Sequence, residues 1–229
     1  MIRIYEKIEK YITIKYIFFS NQYSMCYSVK SSLTTFLTVF CVSIYLWIKG
    51  NNVNKSIAII LFSISLMQLL ELFIWLNLKC SNTNKIISLF IPILLFFQPV
   101  IIITTIIYFN SGILPNILYK IILGIWILCS IFFINWMKTG FYKCTKVGKN
   151  GHLVWPYTNS SDLNSSFMQI LYNLVMGIGI GTLNTKWYGI FYIILSIFSY
   201  NYIREIYTHS WGSIWCNFVN FLAFGALFI

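Results

Sequence analysis

Charge is what this sequence has least of. Only 9% of its 229 residues are charged and five are acidic, whereas roughly a quarter of a soluble globular domain is charged. That scarcity, with 59% hydrophobic residues and a mean hydropathy of +0.77, excludes an ordinary water-soluble domain. Histidine is scarcer still, with His152 and His209 alone, too few for a zinc site built mainly from imidazoles. The six cysteines form no CxxC pair, so neither a zinc site nor a disulfide framework is indicated and free thiols are expected. G-x-S-x-G and H-E-x-x-H are also absent, which removes the usual motif support for a serine or zinc hydrolase.

What the chain has instead is apolar runs. Seven fall at about 29–48, 54–77, 86–109, 114–137, 166–184, 187–204 and 210–229, each near the roughly 20 residues a helix needs to cross a bilayer. The fold expected is all-α and membrane-embedded: a seven-transmembrane-helix bundle over 29–229, preceded by an amphipathic segment over 1–28. In that segment Ile4, Ile8, Ile12 and Tyr16 recur at four-residue steps among Arg3, Lys7, Lys10 and Lys15, the pattern of a helix lying in the headgroup plane. Pro99 predicts a kink in the third span. Gly177, Gly179 and Gly181 predict a close helix approach in the fifth.

The net charge of +11 would suit a polyanion, but its 16 Lys and Arg sit at the ends of apolar runs, where lipid headgroups are the partner and nucleic acid is not. Twelve fall on the side of the N-terminus: Arg3, Lys7, Lys10, Lys15, Lys30, Lys79, Lys85, Lys138, Lys143, Lys146, Lys149 and Arg204. The other side holds Lys49, Lys55, Lys120 and Lys186. This bias predicts a multi-pass protein with its N-terminus cytosolic and its C-terminus outside or lumenal. The two N-x-S sequons at Asn159 and Asn164 point the other way, and the charges are followed. Residues 138–165 form the longest polar connection, an ordered loop in which Trp155 and Tyr157 are expected to anchor at an interface.

One carboxylate stands out. Glu71 lies inside the second apolar run, with Gln68 and Trp75 at i−3 and i+4 on the same helical face. An acid at that depth, roughly 9 Å in at 1.5 Å per residue, costs several kcal/mol if it faces lipid and so faces the bundle interior. Gln98, Tyr200, His209, Trp211, Ser213 and Trp215 are expected to share this polar layer, with Tyr172 and Asn173 near the same depth. Interhelical hydrogen bonding explains such a layer as well as a ligand cavity does.

Seven spans alone do not fix a function. The last span has no lysine to carry retinal. The G-protein-coupled receptor motifs are replaced by F-N-S-G at 109–112 and N-F-V-N-F at 217–221. The segments Q-L-L-E-L-F-I-W at 68–75, Cys80 and Asn84, F-Q-P at 97–99 and W-G-S-I-W-C at 211–216 resemble an uncharacterised family of multi-spanning membrane proteins of large DNA viruses and algae. The resemblance implies a similar bundle over about residues 30–225 and no activity. The reading is therefore a receptor-like or transporter-like bundle around Glu71, with membrane lipid as partner and a small molecule or lipid as ligand. It assigns no catalytic residue, metal or cofactor. The alternatives are a lipid-modifying intramembrane enzyme, with Glu71 and His209 as acid and base, and a structural protein of a viral or organellar membrane.

Overall fold

A computed structural model describes residues 28–148, 151–157, 163–185, 187–206 and 211–229. The amphipathic segment expected over 1–28 lies, apart from Ser28, outside the described residues. The described chain is mostly helical. Its helices are α1 (Val29–Lys49), α2 (Asn52–Trp75), α3 (Asn82–Phe109), α4 (Asn116–Leu128), α5 (Ser130–Gly140), α6 (Leu163–Gly181), α7 (Tyr188–Ile206) and α8 (Trp211–Ala226). A two-stranded hairpin, β1 (Lys146–Val147) and β2 (Leu153–Val154), lies between α5 and α6.

Every one of the seven apolar runs is helical. The fourth contains both α4 and α5, because the backbone ladder continues through Cys129: its N–H donates to Ile125 O at 3.0 Å and its carbonyl accepts from Phe133 N at 3.3 Å. Four stretches are long and apolar enough to cross a membrane, namely α1, α2, α3 and Asn116–Asn135. The first three helices start at side-chain caps, from Ser28, Asn51 and Ser81 to the backbone N–H three residues on. Each cap satisfies one of the donors that a helix start leaves open. Ser81 also starts α3 a full turn before its apolar run begins, which brings Asn84 into the helix.

Neighbouring helices pack in chain order, and α8 returns to α1 and α2. The innermost is α2: 67% of its apolar stretch is buried, against 28% in α1 and 39% in α3. Its polar residues Asn54, Ser56, Ser63, Ser65, Gln68 and Glu71 are all buried. At the end holding the α3–α4 and α6–α7 turns, Ile113 N donates to Thr182 O at 2.8 Å and Asn184 N to Ser111 O at 2.8 Å. The opposite end holds the α2–α3 connection and the hairpin.

Pro92 and Pro99 both lie inside α3. Pro99 leaves the carbonyl of residue 95 without its helical donor, and one residue along Trp126 Nε1 donates to Phe96 O at 3.0 Å. Of the three glycines on α6, Gly179 meets Ile102 of α3 and Gly181 meets α7, where a Cβ on Gly189 would fall 2.5 Å from the Gly181 carbonyl. Gly177 meets nothing within 4 Å. Close packing thus belongs to two of the three.

Candidate functional site

Met67, Leu70, Ile74 and Trp75 form one stripe of α2, and Glu71 stands in the middle of it at i, i+3 and i+4 spacings. The apolar members pack with Ile91 of α3 and with Leu153 and Trp155 of the hairpin in a cluster separate from the main core. Glu71 is buried at 1% exposure and Gln68 at 0%. Among the described residues neither Gln68 Oε1 nor Gln68 Nε2 has a hydrogen-bond partner, and the same holds for Trp75 Nε1. Two hydrogen-bonding groups thus stand either side of a buried acid on a helix face that the hairpin covers.

The hairpin is held in place by covalent and polar bonds together. Cys80, just before α3, forms a disulfide with Cys144, with Cα atoms 5.5 Å apart. This overturns the expectation of free thiols at these two positions. The two cysteines lie 64 residues apart in sequence, and only the antiparallel return of the chain brings them together. Cys41, inside α1, and Cys129, between α4 and α5, are free.

One residue on, Thr145 N donates to Asn84 Oδ1 at 3.0 Å, and Asn84 Nδ2 donates to Thr145 O at 3.2 Å and to Asn77 O at 2.8 Å. Ser88 Oγ donates to Asn84 Oδ1 at 3.1 Å and lies 2.8 Å from Thr145 Oγ1. Asn84, Ser88 and Thr145 are all fully buried. The network therefore satisfies backbone groups that the hairpin's burial would otherwise strand.

Beyond this clasp, Gly151 turns the hairpin at φ +76, and Gly148 N donates to His152 O at 2.7 Å. His152 is buried, and desolvation pulls its imidazole down from 6.5 to about 4, so it is neutral at pH 7. Trp155 and Tyr157 are buried as well, within protein clusters. That corrects their expected role as interface anchors: the loop folds inward, and Tyr157 lies over Gly140, where no Cβ stands in its way. Burial pushes the Tyr157 hydroxyl up to about 12.

Gln98 does not belong to the Glu71 layer. Its Nε2 donates to Ser63 O at 3.1 Å, and its Oε1 accepts from Tyr172 Oη at 2.5 Å. Ser63 is eight residues from Glu71 along α2, about 12 Å on a helix. The expected single layer is therefore two, a paired one deep in the bundle and one beneath the hairpin. Tyr172 joins the deep layer with Gln98. Asn173 lines a groove of about 650 Å³ between α6 and α7, along with Gly177, Tyr192 and Ser196.

Tyr200 lies in the last two turns of α7, and Trp211, Ser213 and Trp215 lie in the opening turns of α8. Their backbones thus stand at the hairpin end of the bundle. Their side chains, and His209 altogether, lie outside the described residues. Among the described residues no group of three His, Cys, Asp or Glu could hold a metal ion. No family model, curated protein or solved structure matches the chain.

Proposed function

We propose that this chain is a multi-pass integral membrane protein, receptor-like or transporter-like, whose seven helices span a bilayer. Its polar site at Gln68, Glu71 and Trp75 takes a small molecule or lipid. Membrane embedding is supported by the four long apolar helices and by outward-facing Trp47, Phe90, Ile125, Ile194, Phe221 and Phe224, apolar surface that would aggregate in water. The resemblance to multi-spanning proteins of large DNA viruses and algae is part of the same proposal.

The observation that carries the ligand reading is Gln68. A fully buried amide left unpaired costs about 1–3 kcal/mol for each unmade bond, and the penalty is offset when a bound molecule or water supplies partners. Evolutionary repair would be simple, since leucine is close in size and has nothing to satisfy. A residue that weakens the empty bundle yet suits a bound one marks a site where stability is traded for binding.

The test is a thermal-shift screen of the purified full-length chain in detergent against lipids and polar small molecules. Wild type should be stabilised by at least one compound. Gln68→Leu should melt at the same or a higher temperature when empty and respond to none. A variant that melts lower when empty, or that responds as wild type does, would assign Gln68 to packing alone.

A further inference from the structure

We infer that the end of the bundle carrying the Cys80–Cys144 clasp faces an oxidising, non-cytosolic compartment, so that a ligand reaches Gln68 and Glu71 from outside the cytosol. The inference rests on the membrane reading above and reverses the orientation drawn from loop charge. Its first support is the pairing itself. Of the cysteines whose side chains are described, Cys41 and Cys129, within apolar runs, are free and the two in connections at one end of the bundle are joined. Cytosolic thiols are kept reduced, and stable structural disulfides belong to secreted, lumenal and cell-surface faces.

The second support is how the joined segments are built. Cys144 is 7% exposed, and the residue after it is bound to Asn84 and Ser88 by buried hydrogen bonds. That network holds the Cys144 backbone beside the start of α3, so the disulfide closes a contact that the fold already makes. Asn84 lies one helical turn beyond Cys80, and both strands of the join are fixed together. The third support is in the sequence. The N-x-S sequon at Asn159 falls in the connection between α5 and α6 and that at Asn164 in the first turn of α6, at the same end of the bundle, and such sequons are used only on the lumenal side.

Against this stand the lysines at the same end. Lys79, Lys138, Lys143 and Lys146 are exposed, and four more basic residues lie in the first fifteen. Charge bias is a tendency summed over loops and is sometimes overruled. A disulfide has to form chemically where its thiols can lose electrons to an oxidant, in this case the thiol-oxidising machinery of a secretory or surface compartment. Two thiols lose two protons and two electrons, and the acceptor disulfide of that machinery is reduced to a dithiol. With this end outside, the face of α2 bearing Gln68 and Glu71 lies within two turns of the exterior, as in a receptor loaded from outside.

The test uses the full-length chain in sealed microsomes, with one epitope tag inserted between Tyr157 and Leu163 and another at the C-terminus. Carbonate extraction is read first, because a chain that washes out refutes membrane embedding and this inference with it. For an embedded chain, protease added outside should remove the C-terminal tag and spare the loop tag. After free thiols are blocked in denaturant, reduction should reveal two more thiols in wild type than in the Cys80→Ser, Cys144→Ser double variant. Loop-tag digestion, whatever the thiol state, would overturn the orientation while leaving the membrane reading intact. A protected loop tag with both thiols already free would overturn it too, since the clasp would then have no part in it.

Discussion

The backbone N–H of Thr145 donates to the side-chain oxygen of Asn84 at 3.0 Å across 61 residues of sequence, and the same asparagine returns a hydrogen bond to the Thr145 carbonyl at 3.2 Å. A side-chain amide that meets a backbone N–H and C=O together imitates a strand partner. Asn84 thus sets the register of the chain entering the hairpin on α3, and Ser88 bonds the same threonine.

Replacing Asn84 should loosen the whole roof of the site. Asn84→Ala leaves the Thr145 N–H its bond to Ser88 Oγ at 3.1 Å but removes the donor to the Thr145 and Asn77 carbonyls, at about 1–3 kcal/mol for each buried group left unpaired. Thr145→Val removes one hydroxyl from a site that keeps its backbone bonds, and should cost about 1 kcal/mol. Thermal unfolding in detergent should rank Asn84→Ala well below Thr145→Val. Equal losses would mean that the side-chain amide does not organise the clasp.

His152 gives the roof a pH dependence of known sign. Its folded pKa, about 4, lies below the unfolded 6.5, so between these values the unfolded chain binds the proton more readily. Stability contributed by the buried neutral ring is complete above pH 6.5 and is lost as pH falls from there towards 4. Melting curves from pH 7.5 to 4.5 should show this decline in wild type. His152→Gln cannot take up the proton, and its curve should be flatter over the same interval. An unchanged decline would assign the effect to other groups.

Two glycines in the α6–α7 hairpin, one on each helix, should respond in opposite ways. A methyl on Gly189 would meet the Gly181 carbonyl at 2.5 Å. The Gly181 side of that contact is backbone and cannot swing aside, so Gly189→Ala should cost about 1–3 kcal/mol, as over-packing does. A methyl on Gly177 meets nothing within 4 Å, and Gly177→Ala should be neutral or gain up to about 1 kcal/mol from helix propensity. Detergent melting temperatures distinguish them, and a loss at Gly177 would mean that another group fills the groove there.

Hydrophobic run length made the helices legible, because each apolar run is long enough to specify its own element. It also made the burial of Glu71 legible, since an acid inside such a run must turn inward. What depended on pairing between distant segments was not legible. Cys80 and Cys144 carry no spacing signal at 64 residues apart, and a CxxC search passes over them. Depth counting could have separated Gln98 from Glu71: Gln98 is sixteen residues into α3, while Glu71 is four from the end of α2, at the same end of the bundle. The inward fold of Trp155 and Tyr157 was hidden for a different reason. An aromatic residue in a polar loop reads the same whether it meets lipid headgroups or the protein's own core.

The central claim is that the buried polar face of α2 holds a ligand. Native mass spectrometry of the full-length chain, purified from its membrane and freed from detergent in the gas phase, tests this most directly. Wild type should carry a bound species in a fixed ratio, and Gln68→Leu, although folded, should appear at the mass of the bare chain. A wild type found only at its bare mass, or the same species retained by both proteins, would contradict the claim.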